Sequence, residues 1–216
     1  SPEEFRDSLR LRLGLSIPNL PLKCDGCGST FTVDHSQTCK KGGLIGLRHD
    51  DVKAEFHSLC SAALTPGAIR DEPLIHTYRE QPPPEDADAD LGELRGDIAA
   101  HGFWRRGATT IFDVRITDTD APSYSGLDPR KVLIRQEKEK TEKYNDACQA
   151  RRRHFTPLVF SVDGMMGPQA LGASRRLARL LTHKWHRTYS ELCGYVRTRL
   201  SLALVRATSM FLRNPR

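Results

Sequence analysis

The sequence lacks a long hydrophobic run. No stretch approaches the roughly 18 consecutive apolar residues of a membrane-spanning helix, and no signal peptide is visible. It also lacks the composition of a disordered chain, since 38% of the residues are hydrophobic and 28% are charged. The 216 residues suffice for one domain with a core and a small appendage, so we expect a globular protein without a membrane partner. Because the chain opens "SPEEF", without a methionine, we interpret it as a processed product or a segment of a longer protein.

A disulfide framework is also missing. Three of the six cysteines crowd into sixteen residues, and the other three are scattered along the chain. The clustered cysteines are Cys24, Cys27 and Cys39, and the scattered ones are Cys60, Cys148 and Cys193. This distribution is typical of a reducing compartment and of a single metal site.

A histidine completes the cysteine cluster. Cys24, Cys27, His35 and Cys39 follow the spacing C-x2-C-x7-H-x3-C, and "DGCG" supplies a tight turn around the second sulfur. Three thiolates and one imidazole form a closed ligand set that suits structural zinc. Buried free cysteines are the simpler interpretation, but they would not need a histidine at this spacing. His49 is an alternative ligand, although its distance from Cys39 in the sequence favours a role in packing or substrate contact.

Two aspartates lie on neighbouring predicted strands in "RGDIAAHGFWRRGATTIFDVRI", residues 95–116. Apolar residues at 112, 114 and 116 form one face of the second strand, which leaves Asp113 and Arg115 on the other. If the hairpin is symmetric about Arg105, Asp97 faces Asp113. Like charges that oppose each other on a sheet are destabilising, so the pair indicates a cation such as Mg²⁺ between the carboxylates. A solvated aspartate at a strand end is the alternative.

The predicted elements after the cysteine cluster alternate in type. Their order is helix, strand, strand, strand, helix, strand, helix, helix. We expect one sheet with strands near 71–76, 95–101, 110–117 and 156–162, and helices near 45–64, 131–150, 168–186 and 189–212. A strand meander followed by a crossover helix and a further strand predicts an α/β fold, in which helices flank a mixed sheet. A Pro-rich acidic loop is predicted at 78–93.

Charge is spread unevenly along the chain. From Arg151 to the end there are 13 Lys and Arg against 2 Asp and Glu, a net charge of +11, whereas residues 1–150 have a net charge of −5. A basic C-terminal third beside an acidic site suits a protein that binds both a phosphate backbone and a metal. A solvated basic helical surface is the alternative.

The element order and the acidic spacing resemble the PD-(D/E)xK restriction-endonuclease-like core. The resemblance implies a metal-dependent nuclease in which Asp97 is the first carboxylate and Asp113 the second. The family normally has a lysine two residues after the second carboxylate, but Arg115 stands there, and arginine is not an adequate general base. Some nucleases of this fold add a carboxylate from the first helix, which makes Glu55 a candidate. Glu72, at the first predicted strand, is a further candidate.

Some branches of this superfamily move the lysine to the following helix, here "RQEKEKTEKYN". Gln136, Lys140, Lys143 and Tyr144 are spaced 4, 3 and 1 apart and so lie on one helical face. A lysine on this face would orient the attacking water or stabilise charge on the scissile phosphate, and Lys143 is the preferred candidate. Gln136 and Tyr144 would hydrogen-bond phosphate or substrate. A solvated helix with Glu/Lys pairs is the alternative.

Aromatic and basic residues are candidates for DNA contact. The loop "GFWRRG" at the tip of the predicted hairpin could wedge or stack against DNA, and use of its tryptophan in the core is equally compatible with the sequence. The residues assigned to nucleic-acid binding are Gln136, Trp104, Arg105, Arg106, Arg151, Arg152 and Arg153.

A wider resemblance covers roughly residues 24–190. A CCHC cluster, an "RH" helix, the aspartate pair, a "KY" helix and a strand running into "VDGMMGP" follow one another. This order is similar to the C-terminal region of non-LTR retrotransposon reverse-transcriptase polyproteins of the restriction-like-endonuclease class, and to related retroelement-derived proteins. The similarity divides the chain into a zinc-knuckle segment at 1–43, a nuclease core at 44–190, and a basic helix packed on or beside the core at 191–216.

The resemblance implies a DNA endonuclease that uses Mg²⁺ or Mn²⁺ and carries structural Zn²⁺. In the family such an enzyme nicks target DNA, and the released 3′-hydroxyl primes reverse transcription. The implied partners are DNA, with RNA as an alternative, and a reverse transcriptase, in the nucleus or in a nucleocytoplasmic protein. Two other functions remain open. One is a zinc-knuckle nucleic-acid-binding module on a decayed nuclease fold, which Arg115 favours, and the other is a junction-resolving or transposition nuclease.

Overall fold

The computed structural model describes residues 1–77 and 93–213. The acidic loop predicted at 78–93 lies outside these described residues, apart from Glu93, the first residue of a strand. The described chain is a mixed α/β protein in which helices flank a mixed sheet, as the sequence predicted. No helix within the two described ranges is long and apolar enough to cross a lipid bilayer.

The strands form a central sheet and a small accessory sheet. In chain order the strands are β1 (Ile69–Asp71), β2 (Leu74–Thr77), β3 (Glu93–Arg95), β4 (Ile98–His101), β5 (Thr109–Thr117) and β6 (His154–Ser161). The central sheet has the order β1-β4-β5-β6. Its first three strands are antiparallel, whereas β6 joins β5 in parallel and therefore requires a crossover connection.

The accessory sheet corrects the expectation of a single sheet. The strands predicted at 71–76 and 95–101 are each interrupted, and their outer halves pair separately as β2 and β3. The first interruption is at Pro73, which has no N–H for a ladder. The second is at Gly96, where a Cβ atom would clash with the side chain of Ile111. Asp97 lies directly after the second interruption, between β3 and β4.

Six helices surround the sheet in the described residues. They are α1 (Pro2–Arg12), α2 (Val33–Thr38), α3 (Leu44–Ala63), α4 (Pro129–Ala150), α5 (Pro168–Trp185) and α6 (Tyr189–Arg213). The four predicted helices correspond to α3, α4, α5 and α6 within two residues at each end. The start of α4 follows known preferences, because Pro129 occupies its first turn and the Asp128 carboxylate accepts a hydrogen bond from Arg130 N–H at 2.8 Å.

The two faces of β5 bury different side chains. Phe112 and Val114 belong to the main core together with buried residues of α3, α5 and α6. Ile111, one residue away, lies in a smaller cluster with Tyr144 of α4. Because side chains of a strand alternate between its faces, Asp113 points toward α4. The sheet therefore separates a three-helix layer from a layer that contains α4.

The N-terminal end of the described chain packs against α6, the helix that forms its C-terminal end. The main core includes Leu192, Val196 and Leu200 of this helix, so α6 contributes to the core itself. At its last turn, the Arg213 guanidinium donates to the Asp7 carboxylate at 2.6 Å and to the backbone oxygens of Pro18 and Asn19. Helices α1 and α2 also contact α6. The segment expected at 1–43 and the core expected at 44–190 therefore both contact α6.

Candidate metal centre and active site

A hairpin turn and a short helix bring the cysteine cluster together. We call residues 22–39 the knuckle segment. Lys23 bridges to Thr30, and between them Gly28 has a φ of 75° and donates its N–H to the Cys24 oxygen at 2.7 Å. The positive φ explains the glycine. Helix α2 then presents His35, and Cys39 follows directly after the helix.

The four predicted ligand residues converge at one point. One atom from each of Cys24, Cys27, His35 and Cys39 lies within 4.8 Å of the others. The Sγ atoms of Cys24 and Cys39 are 3.9 Å apart, and Cys27 Sγ is 3.2 Å from His35 Nε2. The cluster can hold a metal ion and is consistent with structural zinc. Within residues 1–77 and 93–213, no other group of three or more Cys, His, Asp or Glu side chains is arranged in this way.

The ionisation of two cluster thiols differs. Hydrogen bonding from Ser29 lowers the pKa of Cys27 to about 6, whereas burial raises the pKa of Cys39. Because the thiolate is the form that binds a metal, Cys27 is already in its ligand form near neutral pH.

The two aspartates face each other across β4 and β5. Ile98 is paired with Phe112, so the next pair toward the start of β4 is Asp97 with Asp113, as the symmetric hairpin predicted. Asp97 N–H donates to the Phe112 oxygen at 2.9 Å, and its carboxylate accepts from Val114 N–H at 2.5 Å. The Asp113 side chain is buried, with 5% of the residue exposed. The register therefore places two carboxylates together beneath α4.

Each carboxylate has its own cationic partner. Lys140 Nζ of α4 lies 2.6 Å from Asp113 Oδ2, and His49 Nε2 of α3 lies 3.1 Å from Asp97 Oδ2. Burial raises the pKa of Asp113, and the nearby Asp97 adds to this effect while Lys140 opposes it. Burial acts in the same direction on Asp97, but the hydrogen bond and charge of His49 outweigh it and lower the pKa. One cationic side chain from each of two helices thereby compensates the two opposed negative charges.

The sequence did not reveal that His49 contacts Asp97. Its hydrogen bond to Asp97 raises the pKa of the imidazole to about 9, with a smaller contribution from Asp50. The residue belongs to neither the cysteine cluster nor the sheet, and 48 positions separate it from Asp97. The only local signal is its place in the first turns of a helix that precedes the strands.

The α4 face contains some of the predicted residues. Lys140 contacts Asp113, and Tyr144 is buried, stacks on Phe155 with ring centroids 5.0 Å apart, and hydrogen-bonds Asp113. Gln136 is also buried, and its Nε2 donates to the Tyr124 hydroxyl at 3.2 Å. Lys143 is exposed and lies over the outer part of the Tyr144 ring at 5.3 Å. The structure therefore favours Lys140 over Lys143 as the lysine of this site.

Two acidic candidates and Arg115 are engaged elsewhere. Glu55 pairs with Arg199 of α6 at 2.6 Å, so its carboxylate faces the neighbouring helix. Glu72 pairs with Lys53 at 3.0 Å. Arg115, at the position of the family lysine, contacts Glu139 of α4 at 3.1 Å. None of these three residues contacts Asp97 or Asp113 in the recorded interactions of the described chain.

The aromatic loop is partly structural. Phe103 is fully buried, and the Trp104 indole N–H donates to Thr156 Oγ1 at 2.9 Å. The tryptophan therefore packs against the core, although part of its surface remains exposed. Arg105 and Arg106 at the loop tip are exposed.

The arginines before β6 differ in exposure. Arg151 and Arg152 are exposed, whereas Arg153 is half-buried and donates to the Leu74 oxygen at 2.8 Å. Because β5 and β6 are parallel and start with Thr110 opposite His154, this turn lies at the same end of the sheet as the aromatic loop. The two segments with basic residues predicted to bind nucleic acid thus lie at the same end of the sheet.

Comparison with other proteins adds no family assignment to this geometry. No protein-family model matches the chain, and no curated protein matches it.

Proposed function

We propose that the chain is a Mg²⁺-dependent DNA endonuclease with a PD-(D/E)xK core, which nicks target DNA for retroelement integration. The observation that carries the proposal is the pair of carboxylates, half-buried Asp97 and buried Asp113, opposed on adjacent strands with Lys140 beside Asp113. Three antiparallel strands, the crossover helix α4 and the parallel β6 support the fold assignment. This support is an analogy of topology, so the function rests on the residues of the site.

The chain's own residues fit a hard divalent cation. Asp97 and Asp113 offer the oxygen ligands that Mg²⁺ prefers, and the backbone N–H of Val114 fixes the orientation of the first carboxylate. A bound Mg²⁺ would polarise the scissile phosphate and activate a water molecule. Lys140 holds its ammonium group at Asp113, where it can donate to a phosphate oxygen or to the attacking water. His49 positions Asp97 from the other side.

The remaining features support binding of nucleic acid. In this proposal the Cys3His cluster binds one structural Zn²⁺ with Zn–S distances near ~2.3 Å. The knuckle segment and the basic C-terminal third, with its net charge of +11, contact the phosphate backbone. Such a protein acts in the nucleus together with a reverse transcriptase, and DNA rather than RNA is its cleaved substrate.

A second candidate function is nucleic-acid binding without catalysis. It is favoured by Arg115, which replaces the family lysine and is held by Glu139 at 3.1 Å. In that case the cations at Asp97 and Asp113 would substitute permanently for a metal. A junction-resolving nuclease would use the same carboxylates and differ in substrate.

Plasmid nicking separates these functions. Supercoiled plasmid is incubated with Mg²⁺ or Mn²⁺ and with the wild type, Asp97→Asn or Asp113→Asn, while Asp146→Asn, an exposed position of α4, serves as the matched control. We expect nicking by the wild type and the control, and a loss of at least about 100-fold in the two site variants with DNA binding retained. Wild-type rates in either site variant would contradict the carboxylate assignment.

Two other outcomes of the plasmid assay would support the alternative functions. If the wild type binds DNA but does not nick it in the presence of any divalent metal, the non-catalytic function is correct. Faster cleavage of branched than of linear DNA would instead indicate a junction-resolving nuclease.

A further inference from the structure

A solvent-open cavity lies beside the edge strand β6, away from the carboxylate pair. Its volume is about 320 Å³, and its lining residues are Trp104, His154, Phe155, Thr156, Gln169 and Gly172. This volume is near the lower end of the roughly 300–1,000 Å³ of small-ligand sites. Thr156 is paired in register with Phe112, so it points to the face of the sheet opposite Asp113. The preceding residue, Phe155, lies on the Asp113 face and stacks on Tyr144, so the cavity lies at the edge of the sheet, with Trp104 and Thr156 across the sheet from Asp113.

The indole ring of the cavity is held rigidly. Its N–H donates to Thr156 Oγ1 at 2.9 Å, and its ring meets Phe103 edge-on, with centroids 5.0 Å apart and an interplanar angle of 87°. Phe103 is itself fully buried. A ring that is fixed before binding loses little conformational freedom when a ligand stacks on it. Trp104 is thus a preorganised surface for a flat ring.

A glycine of α5 leaves the space beside the indole open. A Cβ atom at Gly172 would lie 4.0 Å from the Trp104 ring, so any larger side chain would extend into the cavity. Gln169, one helical turn earlier, is exposed and offers an amide that both donates and accepts hydrogen bonds. The cavity therefore combines an aromatic face with a polar group that can read the edge of a ring.

Four exposed arginines lie within three residues, along the chain, of residues that line the cavity. Arg105 and Arg106 follow Trp104 directly and are exposed, and Arg175 is exposed on the next turn of α5 after Gly172. Arg152 is exposed in the turn that leads to His154. An aromatic surface among cations is the combination that binds single-stranded nucleic acid, where the bases stack and the phosphates pair with basic side chains.

We propose that this cavity binds one unpaired nucleobase of a single-stranded DNA segment, at a site across the sheet from Asp113. The proposal deepens the proposed function and rests on its nucleic-acid partner, but not on cleavage. A duplex does not fit, because its base faces are covered by their neighbours and only an unstacked base can enter beside a half-buried indole. Arg105, Arg106 and Arg175 contact the flanking phosphates.

The test measures binding of a short oligothymidylate in the absence of divalent metal. The Trp185→Phe background leaves Trp104 as the single tryptophan, so its fluorescence reports on the cavity. Gly172→Leu fills the cavity, and Gly194→Leu places the same side chain in α6, where nothing lies within 4 Å of the added Cβ. We expect the oligonucleotide to quench Trp104 fluorescence, and Gly172→Leu to weaken binding at least about tenfold relative to Gly194→Leu.

Several outcomes would overturn the proposal. These are equal oligonucleotide affinity in the two leucine variants, no quenching at saturating oligonucleotide, and binding of a blunt duplex in preference to the oligonucleotide. If Gly172→Leu does not fold, Gln169→Ala at the exposed end of the cavity replaces it, and the quenching result still decides. Nuclease activity is judged separately, since a wild type that quenches but never nicks retains this site and loses the proposed catalysis.

Discussion

Two opposed carboxylates coexist in the fold because each is neutralised from a different helix. His49 approaches Asp97 from α3, and Lys140 approaches Asp113 from α4. The cations keep the site folded without requiring a metal, and binding of a divalent cation would have to loosen at least one of these contacts. Replacing either His49 or Lys140 would therefore change the net charge around the two carboxylates.

Lys140 and Lys143 make a matched pair for mutation. We expect Lys140→Ala to slow nicking at least about tenfold, because it removes the ammonium group from Asp113. It should also raise the pKa of Asp113 further, since the opposing positive charge is lost. Lys143→Ala should behave like the wild type, because this side chain is exposed. The nicking rate and the midpoint of thermal unfolding test both variants, and a larger loss in Lys143→Ala would reverse the assignment.

The sequence predicted the aspartate pair and a helical face that includes Lys140, but it did not show which lysine of that face contacts the pair, and Lys143 was the preferred candidate. Strand alternation and a hairpin symmetric about Arg105 suffice to place Asp97 opposite Asp113, because both rules are local. Local rules do not determine which face of α4 is turned toward the sheet. Gln136, Lys140 and Tyr144 recur every four residues and face the sheet, whereas Lys143 is rotated about the helix axis by about 60° from Lys140 and by about 100° from Tyr144. Packing decides that rotation.

At the scale of secondary-structure elements, a side chain of α4 caps the N-terminus of α5. The residue before α5 is Gly167, which has no side chain to accept from the first N–H groups. The Glu137 carboxylate of α4 accepts instead from Gln169 N–H at 2.8 Å and from Ala170 N–H at 3.4 Å. A Cβ atom at Gly167 would clash with this carboxylate. The contact joins the crossover helix to the helix that follows β6.

Alanine at this junction should destabilise the protein. Gly167→Ala forces the Glu137 carboxylate away from the α5 N–H groups, and we expect a loss of about 1–3 kcal/mol in the free energy of unfolding. The control is Gly194→Ala, which lies inside α6 with nothing within 4 Å of the added Cβ and should gain about 0.5–1 kcal/mol. Urea unfolding measures both. Equal stability of Gly167→Ala and the wild type would show that Glu137 does not depend on this glycine.

The knuckle segment is connected to α3 by one arginine. Gln37, between two of the predicted ligands, accepts from the buried Arg48 through its side chain at 3.0 Å and its backbone oxygen at 3.3 Å. Arg48 also lies over the Phe211 ring at 4.4 Å. The next residue, His49, contacts Asp97. The spacing of the cysteines predicted the cluster, but no local pattern indicated how it docks.

Loss of zinc should therefore loosen the structure beyond the four ligand residues. We expect about one Zn²⁺ per chain in the wild type and in Cys193→Ser, which lies outside the cluster, and less in Cys27→Ser. Hydrogen exchange in the knuckle segment and in the first turns of α3 should accelerate in Cys27→Ser, because Gln37 no longer holds Arg48. Metal analysis and exchange mass spectrometry check these outcomes. A wild type without zinc after expression in zinc-replete medium would refute the site.

At the scale of the whole molecule, an ion pair with a buried carboxylate helps to join the two ends of the described chain. Asp7 is fully buried and Arg213 donates to it at 2.6 Å, across 206 residues of sequence. Neither composition nor periodicity indicated this contact, since neither residue belongs to a motif. Long-range pairs of this kind depend on the completed fold.

This pair should make stability depend on acid pH. The hydrogen bond from Arg213 lowers the pKa of Asp7 below its usual 3.8, so the stabilisation is present above that value and is lost as the pH falls through the folded-state pKa. Asp7→Asn should lose about 1.5–3 kcal/mol at neutral pH and show a weaker decline below pH ~4. The exposed Asp146→Asn should follow the wild type. Urea unfolding at several pH values tests this, and parallel curves for Asp7→Asn and the wild type would contradict it.

The same pair has a consequence for synthesis on the ribosome. Residue 7 is made long before residue 213, and at about 5–20 residues per second the intervening chain takes roughly 10–40 s to appear. During this interval the four ligands of the knuckle segment, all within sixteen residues, can already close on a metal ion. The surface that will receive Ser36 and Gln37, both buried in the finished protein, does not yet exist. The knuckle segment can therefore bind a metal ion early in synthesis, but it can pack against α6 only after that helix has been made.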